Sequence, residues 1–147
     1  MRRAAVGILG ALVVLLVTPY PASAGDEEAL FGKKRYHSVS VTKDGQPFAL
    51  VRGTKLRVGF GRGDPHSMGW IAGCNAFGAE FAIEEEVLDV TTMYYTLMGC
   101  TRKLLRQDAL FQRFFESDPA WSASGRELTL SNERMTIELR RRVTLPD

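Results

Sequence analysis

Met68-Gly69-Trp70-Ile71-Ala72-Gly73-Cys74-Asn75-Ala76-Phe77-Gly78-Ala79-Glu80-Phe81-Ala82-Ile83 decides the fold class. Met68, Trp70 and Ala72 alternate with Gly69 and Ile71. Phe77, Ala79, Phe81 and Ile83 then give the clearest period of two in the chain. That period places each apolar set on one face of a strand. Between the sets, Gly73-Cys74-Asn75 reads as a tight turn, because Gly and Asn both tolerate left-handed backbone. Two strands joined over so short a gap pair antiparallel.

Working back from this hairpin, Gly61-Arg62-Gly63-Asp64-Pro65 is a loop by composition. Leu56, Val58 and Phe60 alternate with Arg57 and Gly59, which predicts another strand. Phe48 to Val51 reads either as a short returning strand or as an irregular connection. Lys43-Asp44-Gly45-Gln46 is a turn built on the Asp-Gly hairpin dipeptide. From Tyr36 to Thr42, Val39 and Val41 alternate with Ser38, Ser40 and Thr42, the pattern of a half-buried strand.

Working forward, Glu84-Glu85-Glu86 reads as a solvated turn and Val87 to Val90 as a short strand, while Thr91 to Cys100 shows no clear period. From Thr101 to Ser117 the period lengthens. Leu104, Phe111 and Phe115 fall on one side of a helix, which Leu110 and Phe114 widen; Arg102, Lys103, Arg106, Gln107 and Gln112 read as polar positions. Asp118-Pro119 ends the helix. Trp121 opens an extended stretch, Leu128 and Leu130 alternate, Ser131-Asn132 turns, and Met135, Ile137 and Leu139 form a last strand. About seven short strands and one helix, without a repeated β-α-β pattern, predict a mainly β (α+β) fold. The expected form is a small antiparallel barrel-like sheet packed with one α-helix.

The N-terminus has a different character. Met1-Arg2-Arg3 precedes an apolar run from Ala4 to Val17, then Pro19, Pro21 and Ala22-Ser23-Ala24. This charged, apolar, small-residue order predicts a secretory signal peptide over residues 1–24, cleaved after Ala24. The run is shorter than the roughly 20 residues of a membrane-spanning helix. The two cysteines, Cys74 and Cys100, lie far downstream, so no lipid anchor is expected. Residues 25–35 read as a mobile lead-in and residues 36–142 as one domain. The expected location is secreted or periplasmic, soluble, with a monomer as the default state. All 17 acidic residues lie in the mature part, where removal of Arg2 and Arg3 leaves 17 basic ones. A charge-balanced chain gives no electrostatic case for nucleic acid or an anionic membrane as partner.

Patterns that carry chemistry are missing from the sequence. There is no G-x-S-x-G elbow, no phosphate loop, no H-E-x-x-H and no C-x-x-C. His37 and His66 stand at spacings unrelated to each other and to the cysteines, and the glutamates at 84–86 suit a solvated turn. No catalytic, cofactor-binding or metal-ligating residue is therefore assigned, and no cofactor is expected. In an oxidising compartment two cysteines have one intramolecular pairing available, and Cys74–Cys100 is the expected disulfide.

Two motifs carry a resemblance. One runs from Gly69 to Phe81 and contains Gly73-Cys74-Asn75. The other is Thr96-Leu97-Met98-Gly99-Cys100, which leads into the helix with Leu110, Phe111 and Phe114. With Leu128-Thr129-Leu130 and the strand Met135 to Leu139, they resemble the META domain family, which includes the bacterial heat-shock protein HslJ. The resemblance covers about Tyr36 to Arg140. This chain departs from the family at Tyr36, where tryptophan is common, and at Ala76, where a polar or basic residue is common. It also lacks the lipid-bearing cysteine of many members. Asp108 is the candidate for an acidic residue common early in the family's helix. The resemblance implies an extracytoplasmic domain tied to envelope or stress responses, including tolerance to novobiocin-type antibiotics, with no established reaction. Gly73, Asn75, Thr96 and Met98 carry over as structural motif positions. The function expected is that of a non-enzymatic envelope or secreted accessory protein acting on an envelope or extracellular protein partner. The alternative is a carrier holding a small apolar ligand in a barrel-like cavity.

Overall fold

The computed structural model describes residues 29–143. The expected signal peptide and the first residues of the lead-in lie outside the described residues. The strands are β1 (Arg35–Lys43), β2 (Gln46–Pro47), β3 (Arg57–Phe60), β4 (Ser67–Ile71), β5 (Ala76–Glu84), β6 (Val87–Tyr95), β7 (Ala120–Ser124), β8 (Glu127–Ser131) and β9 (Met135–Arg141). Helix α1 (Arg102–Phe115) stands between β6 and β7.

All pairings are antiparallel. From β1 the sheet runs through β3, β4, β5, β6, β7, β8 and β9, and β9 pairs again with β1. The result is a ring-like, barrel-like sheet, which removes most free edges. β2 is a two-residue return paired at Thr42 and Lys43. The Asp44-Gly45 turn before it has positive φ at both residues, as the Asp-Gly dipeptide predicts. The ring is thinnest between β6 and β7, joined in register at Val87 and Ala120.

Two bulges explain where strict alternation fails. In β1, Ser38 faces Leu139 and Ser40 faces Glu138, so Val39 is an extra residue. Tyr36 and Val41 are five apart, and a regular strand would turn them to opposite faces. The bulge brings both into the core and turns Val39 outward, where it is 52% exposed. The inward position expected of Val39 is thereby corrected. In β6, Ala79 faces Met93 while Glu80 faces Thr91, so Thr92 is the extra residue and takes a φ of 37°. Leu88 and Met93 therefore both reach the core side, and a strand expected to stop near Val90 continues to Tyr95.

Aromatic residues fill the ring at both ends. Trp70 stacks on Phe77 at 5.1 Å and packs against Phe115 of α1 at 4.3 Å, so the helix covers one mouth. At the other mouth Phe31 meets Phe60 at 4.9 Å and Trp121 at 5.1 Å. Phe31 is buried, residues 29–31 are helical, and the Tyr36 hydroxyl donates to the Leu30 carbonyl at 2.7 Å. The part of the expected lead-in from residue 29 onward is thus docked rather than mobile, because an aromatic ring is needed to close the open end.

Candidate functional site

Gly73, Cys74 and Asn75 connect β4 to β5, and their main-chain N–H groups converge on one carboxylate. The buried Asp108 of α1 accepts from Gly73 at 2.8 Å, from Cys74 at 3.1 and 3.2 Å, and from Asn75 at 2.9 Å. The Asn75 side-chain amide adds a donor at 3.2 Å. Successive N–H groups in such a turn make a natural anion cradle, and here the protein's own carboxylate fills it. Neither Gly73 nor Asn75 adopts positive φ, so left-handed backbone is not the reason for either residue. Gly73 is required by space: a Cβ there would stand 2.6 Å from the Leu104 carbonyl oxygen and 2.7 Å from Asp108 Oδ1. Asn75 is required by its two-sided amide.

The acceptor side of that amide holds the second motif. Asn75 Oδ1 accepts from the Met98 N–H at 2.9 Å and the Thr96 hydroxyl at 3.2 Å. Thr96 Oγ1 in turn accepts from the Ala76 N–H at 3.1 Å. The disulfide Cys74–Cys100 closes the same contact, with Cα atoms 6.4 Å apart. Gly73, Asn75, Thr96, Met98 and both cysteines therefore form one clasp between turn, loop and helix. The loop it holds presents Leu97, 88% exposed, and Met98, 57% exposed.

Gln107, read from the sequence as an outward polar position, is buried beside Asp108. Its Oε1 accepts from the Val51 N–H at 2.6 Å, and its Nε2 donates to the Ala72 carbonyl at 2.6 Å and to Thr54 Oγ1 at 2.9 Å. The signal was present in the spacing. Leu104, Gln107, Asp108, Phe111 and Phe115 follow i, i+3, i+4, i+7, i+11, so two polar residues occupy the apolar stripe. Such residues must be satisfied inside.

On the outer face of the ring lies a solvent-open groove of about 830 Å³. A register row crosses it: Arg35, Gly59, Gly69, Gly78 and Tyr94, on β1, β3, β4, β5 and β6. The Tyr94 ring lies over Gly78, where a Cβ would collide with it. Lys33, Arg35, Arg57, Arg62 and Arg142 line the groove, and among the described residues no acidic side chain does. Among the described residues the ion pairs are Lys43 and Arg134 with Asp44, and Arg140 with Glu127, so none of the five lining cations is paired there. His37 sits beside Arg57 in the register. Slight burial and then the positive charges of Lys55, Arg142 and Arg140 lower its pKa from the ordinary imidazole value. His66 lies exposed in the loop before β4.

Among the described residues no helix is long and apolar enough to cross a membrane. The META domain profile matches residues 29–144. No curated protein matches the chain. Two solved structures share the fold. One is a solution NMR structure of a protein from Burkholderia xenovorans, 15% identical, with a TM-score of 0.67, covering 93% of this chain and 100% of that one. The other, also determined by NMR, is 17% identical, with a TM-score of 0.58, covering 78% of this chain and 92% of that one. The profile spans the ring, the helix and the clasp alike, and the chain belongs to the META domain family.

Proposed function

We propose that the protein is an exported, non-enzymatic accessory domain of the cell envelope or secreted fraction, working by binding a partner through its outer surface. One contrast carries this reading. The motif's polar groups are spent on one another, with the Asp108 carboxylate facing four donors and the cysteines joined. The outer face instead leaves basic side chains, Tyr94 and the Leu97–Met98 loop open to contact. Export is supported by the N-terminal signal pattern and by a disulfide, which persists in oxidising compartments. The family resemblance adds a link to envelope stress. A carrier of small apolar ligands would need interior room, and the interior of this ring is occupied by Trp70, Tyr36, Phe60, Phe111 and Phe115.

The test is recovery of the protein from its native cells. N-terminal sequencing should read from Gly25, and co-purification should return one envelope or extracellular partner reproducibly. A full-length membrane-retained form, or a bound small molecule without a macromolecular partner, would overturn the proposal.

A further inference from the structure

The proposed partner binding leaves the partner's chemistry open. We propose that the outer groove binds a carboxylate-bearing polysaccharide, with Arg35, Arg57 and Arg142 taking its uronate groups and Tyr94 supporting the face of a sugar ring.

Charge is the first reason. Over the mature chain the charges balance, but folding sorts them. Among the described residues, five cations line the groove without an acidic neighbour in its lining. Glu84, Glu85 and Glu86 sit at the β5–β6 turn, away from it. Among the described residues those five have no carboxylate within ion-pair distance. A same-sign cluster along a cleft attracts counter-charge from solution. Arginine's planar fork matches a carboxylate with two parallel hydrogen bonds.

The floor is the second reason. Glycine inside a strand weakens it and marks a close approach by a ligand or another backbone. Gly78 is explained by the Tyr94 ring, and a Cβ on Gly69 would stand 2.9 Å from the Phe77 carbonyl oxygen. Gly59 has no such explanation, since a Cβ there would meet nothing closer than 3.9 Å. The fold leaves room for a side chain where the groove lacks one, between Arg35 and Gly69 in the register.

Tyr94 decides between polymers. It is 64% exposed, and its ring lies against Gly78. A tyrosine with an apolar face and a polar hydroxyl suits the C–H face of a pyranose beside its hydroxyls. A peptide fits less well. Strands β3, β4 and β5 each have neighbours on both sides, so their main-chain groups are committed to the ladder. A peptide laid on the face of these three strands would lose hydration at its amides without gaining main-chain partners from them. The groove's volume lies within the range of ligand sites, roughly 300–1,000 Å³.

The experiment is calorimetric titration of the mature protein, with its disulfide intact, against short oligogalacturonates. Parallel titrations use the methyl-esterified oligomer, polyglutamate and single-stranded oligothymidylate. Saturable binding to oligogalacturonate is expected, at least tenfold tighter than to any of the other three. R57Q combined with R142Q should weaken it by tenfold or more, and Tyr94→Ala by several-fold. Gly59→Leu should abolish binding while leaving the thermal midpoint unchanged or raised, which separates blocking from misfolding. Lys103→Gln, on the helix outside the groove, should change nothing. Absent or equal binding across the four polymers overturns the inference, as does tighter binding of polyglutamate or of the oligonucleotide. A Gly59→Leu protein that is folded and still binds also overturns it. If these results go against the groove while the native partner still co-purifies, the proposed function stands and only the polysaccharide is lost.

Discussion

Asp108 sits on the apolar stripe of a helix with its carboxylate against four donors. Charge-assisted hydrogen bonds of this kind are worth more than neutral ones, and removing the acceptor leaves three main-chain N–H groups facing nothing. Asp108→Asn turns an acceptor oxygen into a donor against those N–H groups and should cost about 3 kcal/mol, read as a lower urea midpoint at constant m-value. Gln107→Ala should cost about 2 kcal/mol by stranding the Val51 N–H and the Ala72 carbonyl. At His37 the sign of the pH effect follows from its lowered pKa. The folded state holds the proton less readily than the unfolded chain. His37's contribution to stability is therefore complete above the ordinary value of 6.5, is lost as pH falls through it, and levels off below the folded-state value. An NMR titration of His37 should show a midpoint below the ordinary imidazole value of 6.5, and a midpoint above it would contradict the burial and the neighbouring positive charges of Lys55, Arg142 and Arg140. At this scale the sequence showed which residue types mattered, Gly73, Asn75 and the cysteines among them. It hid what they touch, because Asp108 and the turn are more than 30 positions apart.

Among the elements, the hairpin around Gly73-Cys74-Asn75 and helix α1 were legible because each keeps one period throughout. β1 and β6 were harder to read, since one extra residue inverts the phase of everything after it. This gives a test that the sequence pattern alone would get wrong. Val39→Thr should shift stability by less than about 0.5 kcal/mol, whereas Val41→Ala should cost about 2 kcal/mol. Equal losses at the two positions would mean that β1 runs without its bulge. Helix α1 lacks a side-chain N-cap and an acidic first turn. Its stability thus comes from Phe111, Phe114 and Phe115 in the core and from the clasp, more than from its ends.

At the scale of the whole molecule, two closures hold the ring. The β1–β9 pairing joins the ends of the domain, and the disulfide joins residues 26 apart in sequence. The chain-entropy account gives about 3.5 kcal/mol for such a bridge. Cys74→Ser with Cys100→Ser should lose close to that amount by chemical denaturation while keeping the far-UV spectrum of a β protein. The mouth opposite the helix depends on Phe31, so Phe31→Ala should cost about 3 kcal/mol. A chain started at Tyr36, where the sequence pattern places the domain, should be measurably less stable than one started at Gly25.

The sequence by itself determined the fold class, the hairpin, the helix, the paired cysteines and the family, because these rest on local period, turn chemistry and short motifs. Only the tertiary structure decided that Phe31 belongs to the core, that Val39 does not, and that Gln107 and Asp108 are buried keystones. It also gathered basic side chains from a composition of 19 basic and 17 acidic residues into one groove. The physical reason is the same in each case. Burial and electrostatic field depend on which side chains meet across the ring, and strands far apart in the chain, such as β1 and β9, bring together residues whose order in sequence carries no record of that meeting.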